Sequence, residues 1–174
     1  DLFRKHEQWY LRASSVTQPI RDIYFAVNFK PYEKGDLSIQ MIGPDKSLLG
    51  NRVSEGQRFY IQIESSRKME SCAIVNVYPD GKVSLLLEDS GLRSGKNIFP
   101  KGDGRVFQST TLEGEKVSLD VYMAVCTASP ADLTDFRLLG LKDQLPSGDL
   151  AYKVNDFIDW LERSRIRALA SHVV

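Results

Sequence analysis

Apolar and polar residues alternate with a period of two over much of this chain, and that period sets the first expectations. Phe59, Ile61 and Ile63 interleave with Tyr60, Gln62 and Glu64, while Ala73, Val75 and Val77 interleave with Ile74, Asn76 and Tyr78. Successive side chains of a strand point to opposite faces, so each run predicts a strand with one core-facing side. Pro79-Asp80-Gly81 separates the second run from Lys82–Leu87. Asp-Gly between apolar runs predicts a hairpin, because both residues tolerate positive φ. Leu37–Ile42 sets Leu37, Ile39 and Met41 on one face, ahead of the turn signal Gly43-Pro44-Asp45. Residues 23–29 alternate Ile, Phe, Val, Phe with Tyr, Ala, Asn and read as a further strand, and residues 105–110 read as a short one. The longest alternation, Val117, Leu119, Val121, Met123 and Val125 against Ser118, Asp120, Tyr122 and Ala124, predicts a central strand.

Helical spacing is confined to the two ends. Residues 1–13 carry Leu2, Phe3, His6, Trp9, Tyr10 and Ala13 at nearly helical intervals. After Pro146-Ser147-Gly148, Asp149 is placed to cap a helix in which Leu150, Val154, Phe157, Ile158 and Leu161 share a face. Asp149, Asp156 and Asp159 lie early in that segment and Arg163, Arg165 and Arg167 late, in the sense that suits a helix dipole. Strands separated by turns, with no helices between them, favour an antiparallel β-sandwich over a parallel α/β sheet. The expected protein is mainly β: a short N-terminal helix and linker over residues 1–20, a β-sandwich over 21–145, and a C-terminal amphipathic helix over 146–174 that packs on, or extends from, the same domain.

Charge and composition bear on function. The 174 residues include 23 basic and 23 acidic side chains, so the net charge is zero and no global field gathers DNA, RNA or anionic lipid. With 42% hydrophobic and 26% charged residues the composition is that of a folded domain. No apolar run reaches the roughly 18 to 20 residues that span a bilayer. The chain opens on Asp1 rather than Met and is read as an excised or processed part of a longer polypeptide. His6 and His172 stand at opposite ends, and no Ser lies in a Gly-x-Ser-x-Gly elbow. We therefore expect a protein that is not an enzyme, with no cofactor and no metal. Cys72 and Cys126 lack CxxC spacing. They form a disulfide if their strands are neighbours in one sheet, and otherwise remain two reduced, partly buried thiols.

The segment 88–104, with Gly91, Gly95, Gly102 and Gly104, reads as a long loop, and such loops either bind or passively cover. Its candidate contact residues are Glu88, Asp89, Leu92, Arg93, Lys96, Phe99 and Asp103. Glu88, Asp89 and Asp103 offer oxygens to Ca²⁺, but without a D-x-[DN]-x-[DN]-G spacing no metal is assigned. A second contact element is the terminal helix through Leu150, Val154, Phe157 and Leu161. The aromatics Trp9, Tyr10, Tyr24, Phe25, Phe29 and Tyr32 have few basic neighbours, so no nucleic-acid partner is expected.

Residues 37–139 also resemble a known family. The matching pieces are Glu55-Gly56-Gln57-Arg58-Phe59, then Cys72-Ala73-Ile74-Val75-Asn76-Val77-Tyr78-Pro79-Asp80-Gly81-Lys82-Val83-Ser84-Leu85-Leu86, Asn97-Ile98-Phe99-Pro100, Gly114-Glu115 and Ala124-Val125-Cys126-Thr127-Ala128-Ser129-Pro130. In this order they resemble the bacterial domain-of-unknown-function family numbered 4384, which usually has a proline and an asparagine where this chain has Leu87-Glu88-Asp89-Ser90. The resemblance implies an immunoglobulin-like β-sandwich. It also implies an accessory module of bacterial envelope proteins and lipoproteins, or of signalling and defence proteins beside peptidase or kinase domains, and no catalytic residues. The expected function is a non-catalytic accessory or binding module that contacts other domains of its polypeptide or a protein partner. The alternative is a structural scaffold or linker with no ligand, and nucleic-acid or carbohydrate binding is less favoured. The compartment, envelope or cytoplasm, follows from the flanking sequence, and oligomeric state is left open.

Overall fold

The computed structural model describes residues 17–28, 36–87, 91–102, 104–111, 119–140 and 151–174. The helix expected over residues 1–13 lies outside them. The described elements are α1 (Gln18–Asn28), β1 (Leu37–Ile42), β2 (Arg58–Ser65), β3 (Cys72–Val77), β4 (Lys82–Leu87), β5 (Gly95–Phe99), β6 (Phe107–Gln108), β7 (Val121–Thr127), α2 (Pro130–Gly140), β8 (Ala151–Lys153), α3 (Val154–Arg163) and β9 (Ile166–Val173). They build two antiparallel sheets, one ordered β1-β2-β5 with β6 also paired to β2, the other ordered β8-β4-β3-β7-β9. Among the described residues no helix is long and apolar enough to cross a membrane.

Side-chain parity explains the layering. In the four-stranded sheet Leu37, Ile39, Met41, Phe59, Ile61, Ile63 and Phe99 point inward. They meet the even-numbered residues Cys72, Ile74, Tyr122, Ala124, Cys126, Ala168 and Ala170 of the five-stranded sheet. The odd-numbered Ala73, Val75, Val77, Val121, Met123 and Val125 turn the other way, onto Ile20, Ile23 and Val27 of α1, Leu133 and Phe136 of α2, and Val154, Phe157, Trp160 and Leu161 of α3. The five-stranded sheet is therefore the middle of three layers, and every residue of β3 and β7 is buried. One core-facing side per strand is true of β2 and not of β3 or β7, because helices cover what would otherwise be the solvent face.

Residues 18–28 form a helix, not the strand expected over 23–29. Ile23 and Val27 are four apart, a spacing that shares a face in both a helix and a strand, and Ile20 selects the helix. Pro19 sits in the first turn, where its missing N–H costs nothing. Thr17 donates its hydroxyl to the Pro79 carbonyl (2.6 Å), fastening α1 to the β3–β4 hairpin. That hairpin is the expected one: Gly81 has φ +85°, and the Asp80 carboxylate accepts the Lys82 N–H (2.9 Å).

The C-terminal helix begins at Val154 and stops at Arg163, and β8 precedes it. Asp149 and Leu150 lie outside the described residues. The Val154 amide donates to the Gly81 carbonyl (2.8 Å), and the Ser164 amide to that of Trp160 (2.9 Å) as the backbone turns extended. Arg165 lies beyond the helix and Arg167 lies in β9, so the acidic-to-basic run is not a single helix dipole. His172 likewise belongs to a strand. The sequence reading also missed α2, whose start is capped by Ser129: its hydroxyl accepts the Ala131 N–H (3.2 Å), followed by Pro130 and Asp132.

Of the two alternatives for the cysteines, the structure has the disulfide. Cys72 and Cys126 stand directly opposite on β3 and β7 and are bonded. The described part of the segment 88–104 is not a free loop either. Leu92 and Met69 exchange backbone bonds (2.8 and 3.0 Å), and Gly95–Phe99 pairs with β2 as β5.

Candidate functional site

Helices α2 and α3 lie on the outer face of the five-stranded sheet and leave a groove between them. Leu133, Phe136 and Gly140 of α2 face inward, as do Val154, Phe157, Trp160 and Leu161 of α3. Phe136 is the hub: its ring stacks on Tyr152 (4.1 Å between centroids) and on Trp160 (4.4 Å), with Phe157 tilted beside it (5.6 Å). The Trp160 indole N–H donates to the Asp132 carbonyl (3.0 Å), locking α3 to the first turn of α2.

The resulting groove is open to solvent, about 320 Å³ in volume, and lined by Asp132, Asp135, Leu138, Leu139, Trp160, Arg163 and Ser164. Leu138 is 57% exposed on its rim, and Leu139 is half-buried within. The Asp132 carboxylate faces Arg165 at 3.8 Å, an ion-pair distance too long for a hydrogen bond, and its Oδ2 is buried with no hydrogen-bond partner. Arg163 turns its Nε to the Asp159 carbonyl (3.1 Å). The arrangement offers an apolar floor with a carboxylate side on α2 and a guanidinium side on α3. It suits an apolar side chain carried between polar neighbours. It does not assemble a nucleophile beside a base, since Ser164 has no His within the lining.

A second polar cluster lies inside the molecule. Asn76 Nδ2 donates to Asp120 Oδ2 (3.0 Å), and the row continues across neighbouring strands through Tyr122 to His172. Burial drives the Tyr122 phenol well above its ordinary pKa, with the Asp120 charge and then Tyr78 adding to the shift. Burial also lowers the His172 imidazole, against a smaller upward pull from a backbone hydrogen bond to Gly50. Burial thus favours the neutral forms of Tyr122 and His172. Among the described residues no cluster of three or more His, Cys, Asp or Glu is placed to hold a metal ion.

The residues expected to bind are scattered. Leu92 is 2% exposed and Phe99 is 0% exposed, so both are core, with the Lys101 ammonium 5.0 Å from the Phe99 ring centre. Arg93 is exposed, its amide donating to Asn97 Oδ1 (2.9 Å). Lys96 is exposed on β5 opposite Glu64. Glu88, Asp89 and Asp103 lie outside the described residues. Val154, Phe157 and Leu161 are buried against the chain's own sheet. The groove residues of α2 went unnoticed, although Ser129-Pro130-Ala131-Asp132 is a helix-start signal followed by Leu133, Phe136 and Gly140 at helical spacing.

Compared with family models, with curated proteins and with solved structures, the chain finds no match.

Proposed function

We propose that this chain is a non-catalytic accessory module with an immunoglobulin-like sandwich, part of a larger bacterial envelope, signalling or defence protein. It works by contact with another domain or a protein partner, and the α2–α3 groove is the contact element. The observation that carries this reading is Leu138, a large apolar side chain left exposed on the rim of a groove whose floor is Leu139 and Trp160. The resemblance to family 4384 supports the accessory role. The Cys72–Cys126 disulfide favours the envelope over the cytoplasm, since such bonds persist in oxidising compartments.

The test compares amide hydrogen exchange of α2 and α3 in the intact polypeptide and in this segment alone. Slower exchange around Leu138 in the intact protein, abolished by Leu138→Asp, supports the reading. Equal exchange in both, together with unchanged behaviour of Leu138→Asp, favours the scaffold with no ligand.

A further inference from the structure

The outer edge of β9 is unaccounted for by the groove. Asp120 and Val174 exchange both backbone bonds (2.9 and 3.0 Å), so in the β7–β9 ladder the hydrogen-bonded pairs continue at Tyr122 with His172 and Ala124 with Ala170. The intervening Leu169, Ser171 and Val173 then aim their N–H and C=O groups away from β7. Among the described residues no strand pairs with them.

Native edges are normally blunted by shortness, charge, proline or a bulge. The other edges here follow that rule. β8 has three residues and an exposed Lys153; β1 is closed at one end by the Leu49 amide on the Met41 carbonyl (3.0 Å); β5 carries exposed Lys96 and runs into Pro100. Among the described residues β9 is protected only at its start, where the register shifts around the exposed Arg167. From Ala168 to Val174 it has no Asp, Glu, Lys or Arg side chain, no proline and no bulge.

We propose that this edge pairs with a second copy of the chain, β9 antiparallel to β9 about a two-fold axis at Ser171, joining two five-stranded sheets into one of ten. The regular run of β9 is symmetric about Ser171. Self-pairing there sets Leu169 opposite Val173 and Ala170 opposite His172, so no like charges meet, and Arg165 and Arg167 fall beyond the overlap. It also covers Val173, which is half-exposed in the single chain. The inference is independent of the groove, which lies between α2 and α3.

Sedimentation velocity over a wide concentration range tests it, with a melting curve as the check on folding. The unaltered chain should be a concentration-dependent dimer. Ser171→Pro removes an outward N–H that the β7–β9 ladder does not use, and the two-fold loses both Ser171 amide bonds together, weakening association by roughly thirtyfold. Ser171→Lys, which leaves the backbone intact, should also weaken association and serves if the proline variant fails to fold. Ser171→Cys should give an intermolecular disulfide on non-reducing electrophoresis, and Arg165→Cys should not. A chain that stays monomeric throughout overturns the proposal, as does a dimer of undiminished affinity in a folded Ser171→Pro or Ser171→Lys.

Discussion

Gly140, at the end of α2, is a place where two physical effects oppose each other and the structure decides between them. Replacing a helical glycine by alanine normally stabilises by about 1 kcal/mol. Here the added Cβ would lie 2.5 Å from Tyr152 Cζ, 2.6 Å from its Oη and 2.8 Å from its Cε1. The ring has nowhere to go: Tyr152 is 3% exposed and lies nearly parallel to Phe136, 10° between planes. Forcing extra volume into a packed core costs about 1–3 kcal/mol, and an immobile aromatic belongs at the upper end. Gly140→Ala should therefore lose about 2 kcal/mol net, read as a lower urea midpoint at unchanged slope. Tyr152→Leu removes all three clashing atoms. In that background Gly140→Ala should be neutral or stabilising, giving a coupling energy of roughly 2–3 kcal/mol. If Gly140→Ala alone is as stable as the original chain, the close approach of α2 to β8 is wrong, and with it the floor of the groove.

Three more expectations follow from the same packing. The Cys72–Cys126 bond closes a separation of 54 residues, so Cys72→Ala/Cys126→Ala should cost about 4 kcal/mol by the loop-entropy relation, and the denatured, unreduced chain should titrate no thiol. Phe99→Ser should destabilise by at least about 3 kcal/mol whereas Lys96→Ala stays within about 0.5 kcal/mol; equal effects in thermal melts would refute the inward placement of Phe99. Burial lowers the His172 pKa in the folded chain below its ordinary value of 6.5. Its contribution is fully present above that value and is lost as pH falls through the folded pKa. The urea midpoint should thus drop between pH 7 and pH 5, and less so in His172→Gln.

How much could be read beforehand depends on how many faces an element buries. β1, β2 and the Asp80-Gly81 hairpin were legible because a single buried face leaves clean alternation and turn chemistry is local. α1 was misread because Ile23 and Val27 satisfy two periods at once. β9 was hidden by Ala168, Leu169 and Ala170, which are all buried, lack alternation and favour helix in isolation. The groove required α2, and although Ser129-Pro130 announces that helix, nothing local says that its Leu138 remains uncovered while Leu133 and Phe136 do not. Leu92 and Phe99 were placed in a binding loop because flanking glycines resemble loop composition, whereas partner strands far along the chain make them core.

The burial of β7 on both faces implies an unusual substitution profile. Along β2 every second position meets a different environment, so tolerance to replacement should rise and fall with a period of two. Along residues 121–126 that rhythm disappears: odd positions answer to the helices and even ones to the opposite sheet. Six consecutive residues then form a stretch with no neutral site, in which a charged replacement at any position damages one layer or the other.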